Sequence, residues 1–166
     1  IDRLTDGTHI EINESGTTMR LRPGVGIGAK KVQHDCGKTK SIGWFIEGII
    51  PLVIFSKENV NIEFTGITND PYDLSVDIIR GVTIPLISRF GIDGLTVEIK
   101  SRGFAPNGGG IVHVSCKPVR ELYPIYFIDV GKVLKIRGNA ISSKISPAVL
   151  SRVVEGARSI LTPFAK

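Results

Sequence analysis

"SRGFAPNGGGIVHV", Ser101 to Val114, sets three consecutive glycines between two runs of alternating apolar and polar residues. The run ahead of it, "LTVEIKS", puts Leu95, Val97 and Ile99 on one face, and "GIVHVSC" alternates in the same way. The stretch predicts two antiparallel strands joined through a glycine turn. Gly108, Gly109 and Gly110 permit positive φ and close approach of another backbone. Pro106 fixes the turn ahead of them, and Arg102 stands at the strand end, able to reach across.

Working back along the chain, "NVNIEFTG" reads as a further strand with Val60, Ile62 and Phe64 on one face. Ser41 predicts the cap of a helix running to about Ser56, apolar nearly all round and so buried. A second helix is expected from about Ser75 to Phe90, after the turn-rich "TNDPYD". Ser41 precedes Pro51 by the same spacing as Ser75 precedes Pro85, and each helix carries an Ile-Pro-Leu step. A proline inside a helix costs about 3 kcal/mol. Its recurrence at one offset argues for duplicated helix–strand units. The fold class is therefore α+β, a two-layer repeat of two parallel helices packed on a four-stranded mixed sheet.

"THIEIN" and "TTMRLRP" flank Asn13–Gly16 and read as a hairpin, followed by a loop containing Gly24, Gly26 and Gly28. After Pro118 the pattern changes. "PIYFID" and "KVLKIRGNA" read as strands, and Ser146-Pro147 opens an amphipathic helix with Val149, Leu150, Val153, Val154, Ala157 and Ile160 facing inward. The expected division is residues 1–118 as the core and 119–166 as the truncated start of a smaller α/β domain, less stable than the core. The sequence opens on Ile1 rather than Met, which reads as a segment of a longer gene product.

With 42% hydrophobic and 22% charged residues, the chain is globular rather than disordered. Its longest apolar run, Trp44 to Phe55, contains Glu47 and Pro51 and is too short to span a bilayer, so no membrane partner is expected. Two cysteines, Cys36 and Cys116, suit a reducing compartment. The net charge of +5 is concentrated in residues 20–40 and 132–166, which favours a polyanionic partner; a solvated basic face has the same composition. Arg20, Arg22, Lys38, Lys40, Arg102 and Arg137 are the candidate RNA or anion contacts.

"CGKTKS" lacks the first glycine of a phosphate-binding loop, since position 32 is Val. A helix N-terminus beside Lys38 and Lys40 suits a phosphate, and plain capping with solvated lysines suits the same residues. "GVGIGA", Gly24–Ala29, does not open a helix and is discounted as a dinucleotide fingerprint. His34-Asp35-Cys36 and His113 with Cys116 lack metal spacing, so no metal site is expected. Glu47 within an apolar helix is either a costly buried carboxylate or an edge residue.

Arg102-Gly103, Pro106 and Gly108-Gly109-Gly110 together resemble the signature of the RNA 3′-terminal phosphate cyclase family. "SIGWFIEGIIPL" is similar to that family's repeat helix, "TGITNDP" to its turn and "KIRGNAIS" to the entry of its inserted domain. The resemblance implies helix pairs on four-stranded sheets, repeated, with a thioredoxin-like insert, and a mainly architectural role for the triple glycine. True cyclases carry Asp-x-Gly-Thr-Ala-Gly-Ser-Ile-Gly where this chain has Asp35 to Gly43 with Lys38 and Lys40. A Gln facing their nucleotide is matched here by Glu47, a degenerate position whose carboxylate repels ATP phosphates. None of His9, His34 or His113 occupies the family's adenylylated histidine, so no catalytic residue is assigned.

"LTDGTHIEINESGTT", Arg22-Pro23-Gly24, "QHDC" and "VEGARSIL" resemble the cyclase-like (Rcl) ribosome-biogenesis branch. That resemblance implies a protein without cyclase activity and without a cofactor. It implies a nucleolar role in pre-rRNA processing for the small subunit and its 18S rRNA, within the small-subunit processome, with the GTPase Bms as partner. The alternative is an active cyclase that uses ATP.

Overall fold

The computed structural model describes residues 1–27 and 31–165. Gly28, Ala29 and Lys30, named in the glycine loop and the basic block above, lie outside the described residues. The strands are β1 (His9–Ile12), β2 (Met19–Arg22), β3 (Lys31–Asp35), β4 (Val60–Gly66), β5 (Thr96–Ser101) and β6 (Gly110–Cys116). Helix α1 spans Ile42–Val53. Helix α2 (Val76–Ile78) continues through a π turn, Ile79–Thr83, into α3 (Ile84–Ser88), and α4 spans Pro147–Leu161.

The protein is α+β with a mixed four-stranded sheet in the order β3-β4-β6-β5. β3 and β4 pair in parallel across the α1 crossover, whereas β6 runs antiparallel to both β4 and β5. The strands on either side of the glycines are thus neighbours, as the glycine turn between them predicts. Val60, Ile62, Phe64, Val97, Val112 and Val114 project from the sheet into one core with Ile42, Ile46, Ile49 and Val53 of α1 and Val76 of α2. Each such side chain contributes roughly 1.5–3 kcal/mol. The other sheet face is polar. Gln33, Glu63, His113 and Glu98 stand in one cross-strand row, and the His113 ring contacts Glu63 at 2.7 Å.

The two prolines are accommodated differently. α1 continues through Pro51, and Ile54 N–H still reaches Ile50 O at 3.2 Å. Ahead of Pro85 the helix widens, and Ile84 N–H donates to Ile79 O, five residues back. The missing proline N–H falls where the wider turn has already changed the bonding pattern.

The hairpin forms as its alternation predicts. Ile10 pairs with Leu21 and Ile12 with Met19, and Asn13 Oδ1 accepts the Thr18 N–H. Helix α1 is not buried all round: Trp44 and Leu52 are exposed, as is Phe55 just beyond its end, and Glu47 lies on an exposed part of the helix. The apolar residues outnumber the places available against one sheet face.

The tail departs further from expectation. Neither "PIYFID" nor "KVLKIRGNA" forms a strand; Ile128, Val130 and Leu134 are exposed. An extended segment becomes a strand only when a neighbouring strand takes up its N–H and C=O groups along its length, and neither segment joins a sheet among the described residues. Helix α4 begins at Pro147 as expected, but the burial expected of its apolar stripe is not found: no residue of α4 is buried. The chain divides into two compact units, Ile1–Ile125 and Tyr126–Lys166. None of the described helices is long and apolar enough to cross a membrane.

Burial sets local stability. Native-state hydrogen exchange is expected to show stronger protection for amides of Ile46–Val53 than for those of Leu150–Leu161. Equal protection in the two helices would mean that they open as one unit.

Candidate functional site

The glycine signature folds into a tight loop against the segment that follows β4. Fully buried Thr68 lies at the centre of this packing. Its N–H donates to Gly103 O at 2.7 Å, and its hydroxyl accepts the Gly103 N–H at 3.2 Å. A Cβ on Gly103 would lie 2.2 Å from Gly110 N and 2.5 Å from Gly66 O; one on Gly110 would lie 2.6 Å from the Thr68 methyl. Gly108 and Gly109 adopt φ of 70° and 83°, the left-handed region that favours glycine. Of the three glycines, two supply the turn and the third clears space for a neighbouring chain.

Arg102 makes a bidentate pair with Asp77 on α2, at 2.6 and 2.9 Å. Asn69 Nδ2 donates to the same carboxylate at 3.2 Å. Hydrogen bonding from Arg102 holds the Asp77 carboxyl below the usual carboxylate range. Both oxygens of this carboxylate are therefore taken up inside the protein.

A second carboxylate closes the entry to α1. Asp73 Oδ2 accepts the Ser41 N–H at 2.9 Å, and Asp73 Oδ1 pairs with Lys40 Nζ at 3.0 Å. Its side chain is only 8% exposed. The Ser41 backbone bond, then Lys40, lower its carboxyl below the ordinary value. The Ile42 N–H is spent on Ile67 O at 2.7 Å. A Cβ on Gly43 would lie 1.7 Å from Leu74 O, so the backbone after Asp73 presses directly onto the first turn of α1.

Two of the candidate RNA contacts are engaged within the protein. Lys40 and Arg102 are committed to Asp73 and Asp77. Arg20 and Arg22 are exposed on β2, with Arg20 3.9 Å from Glu11. Lys38 is exposed in the turn before α1, and Arg137 is exposed in the unit 126–166. Glu47 is exposed on α1, one helical turn from Trp44. His34 is half-buried, and Cys36 and Cys116 are buried. His34 packs near Phe45 and Phe64 beside a cavity of about 220 Å³, and burial, then Arg3, lowers its pKa. Burial pushes the Cys36 thiol up to about 12 and that of Cys116 to about 11. No group of three metal-ligating side chains occurs among the described residues.

Sequence reasoning missed Asp73 and Asp77. A signal was present, since Lys40 departs from the glycine of the resembling motif and a lysine at a helix entry calls for an acidic neighbour. The partner lies 33 residues away and becomes visible only on folding.

A family model described as "RNA 3'-terminal phosphate cyclase" matches residues 1–160. A probable RNA 3′-terminal phosphate cyclase-like protein of Dictyostelium discoideum is 43% identical over 165 residues, covering 99% of this chain and 44% of the relative. An RNA 3′-terminal phosphate cyclase-like protein of Homo sapiens is 43% identical with the same coverages. The rRNA processing protein rcl1 of Schizosaccharomyces pombe is 43% identical over 99% of this chain and 46% of its own length. The chain thus spans less than half the length of these relatives.

The packing ranks the signature glycines. Gly103→Ala is expected to lower unfolding stability near the top of the roughly 1–3 kcal/mol overpacking range, or beyond it. Gly109→Ala, with nothing within 4 Å of its Cβ, meets only the left-handed penalty of about 1–2 kcal/mol. Urea unfolding of both variants checks the order.

Proposed function

This chain belongs to the RNA 3′-terminal phosphate cyclase family, and on that premise we propose that it is a cyclase-like factor of pre-rRNA processing without cyclase activity. The reading places it in small-subunit and 18S rRNA biogenesis, in the nucleolus, on pre-rRNA within the small-subunit processome, with the GTPase Bms as partner. It needs no cofactor. The fold this reading carries is the two-layer repeat of helix pairs on four-stranded sheets, with residues 1–118 in the core and 119–166 opening an inserted domain.

The observation that carries the proposal is the similarity to relatives named cyclase-like and, in one case, an rRNA processing protein, at 43% identity over 99% of the chain. The entry to α1 supports the absence of cyclase chemistry. Lys40 is held by Asp73, and Glu47 adds an exposed negative charge on the same helix. A carboxylate in that position opposes the approach of ATP phosphates. RNA contact falls to the exposed cations Arg20, Arg22, Lys38 and Arg137, since Arg102 is tied to Asp77.

Two measurements test the reading. Incubated with ATP and an RNA ending in a 3′-phosphate, the protein should form no 2′,3′-cyclic end; time-dependent cyclisation, or AMP attached covalently to the protein, would revive the active cyclase. Binding to single-stranded pre-rRNA should weaken with salt by roughly 0.7 in log affinity per log salt for each phosphate contact. Replacing Arg20, Arg22 and Lys38 with Gln should flatten that slope by up to about 2. An unchanged slope and affinity would remove these residues from the RNA surface.

A further inference from the structure

We propose that Asp73 is a specificity-determining residue, a built-in anion that closes the N-terminus of α1 to phosphate. The inference rests on the reading of this chain as a cyclase-like factor without cyclase activity, and concerns how that helix end is kept from phosphate ligands.

The N-terminus of a helix attracts anions because its N–H groups lack partners within the helix and its dipole is positive there. Here the chain supplies the anion itself. One Asp73 oxygen takes the Ser41 N–H at 2.9 Å, and the other takes the Lys40 ammonium at 3.0 Å. A phosphate held at this helix end would use the same two donors. The Ile42 N–H is already bonded to Ile67 O, and the Leu74 carbonyl lies over Gly43. Charge, donors and space are thus all taken by the segment 67–74.

The carboxylate is also firmly positioned. The Asp73 backbone N–H donates to Asp70 Oδ1 at 2.7 Å, and the Tyr72 N–H donates to the same oxygen at 2.7 Å. The turn therefore aims Asp73 at the helix rather than leaving it to swing in solvent. Lys40 and Asp73 act as one device. Lysine at position 40 neutralises the carboxylate, and the carboxylate withdraws the lysine from any external phosphate.

Trp44 reports on this position directly. It is the one tryptophan of the chain, and Lys40 Nζ lies 6.0 Å from its ring centroid. Tripolyphosphate and ATP are titrated separately into the 166-residue chain while Trp44 emission is followed. The wild type is expected to show no saturable change with either. Asp73→Ser, which removes the charge and opens the space, is expected to bind tripolyphosphate at least roughly ten-fold more tightly, a difference of about 1.4 kcal/mol. Adding Lys40→Gly to that variant should abolish the gain. Asp73→Asn, which keeps the size and removes the charge, reads the same quantity should Asp73→Ser unfold.

Wild-type binding as tight as that of the variants would overturn the proposal. So would folded variants that gain nothing, with folding judged by near-ultraviolet circular dichroism. A gain for ATP alone would place the binding on the base rather than on the phosphates, and would also overturn it. Formation of cyclic RNA ends by the wild type would contradict the non-cyclase reading on its own, whatever the titration shows.

Discussion

Two carboxylates four residues apart hold this structure in register. Asp73 fastens the turn after β4 to the start of α1, and Asp77 fastens the start of the second helix to the end of β5. Asp73 lies in the connection after β4, and Asp77 lies in the first turn of α2 that follows it. Through them, this segment meets α1 on one side and the glycine signature on the other. Charge-assisted, bidentate hydrogen bonds of the Arg102 kind are geometrically specific as well as strong. They define orientation in a way that the apolar core, which tolerates many packings, does not.

The glycines follow from that arrangement. Once Arg102 is drawn toward α2, the backbone at Gly103 runs against Gly66 and Gly110 at separations that exclude a Cβ. Thr68 fills the space that remains and uses its hydroxyl and N–H to satisfy Gly103. The same logic acts at Gly43, where the Leu74 carbonyl rests on the helix. The glycine signature is thus a junction where three backbone segments touch.

Strand alternation, the hairpin, the helix starts and the order of β5 and β6 were legible in the sequence because each depends on a local pattern; of the expected caps, Ser75 accepts the Ile78 N–H, whereas Ser41 and Ser146 make no side-chain cap bond. The pairing of β6 between β4 and β5 was not legible, since alternation says which face a residue takes and not which strand lies beside it. "KVLKIRGNA" carried the correct period and still formed no strand, because pairing is a property of two segments. The basic block from 20 to 40 was read correctly as a concentration of charge. Its partial neutralisation by Asp73 was hidden, as an ion pair across 33 residues leaves no periodic trace. Glu47 was legible as anomalous, and it takes the exposed side of α1, where its carboxylate stays solvated.

The most direct test of this account is a double-mutant cycle on Asp77→Ala and Arg102→Ala, followed by urea unfolding. If the pair orders the junction, the two substitutions should be coupled by about 1.5–3 kcal/mol, the range for hydrogen bonds to charged groups. Additive effects, agreeing within about 0.5 kcal/mol, would show that the glycine junction stands without the ion pair and would contradict the account.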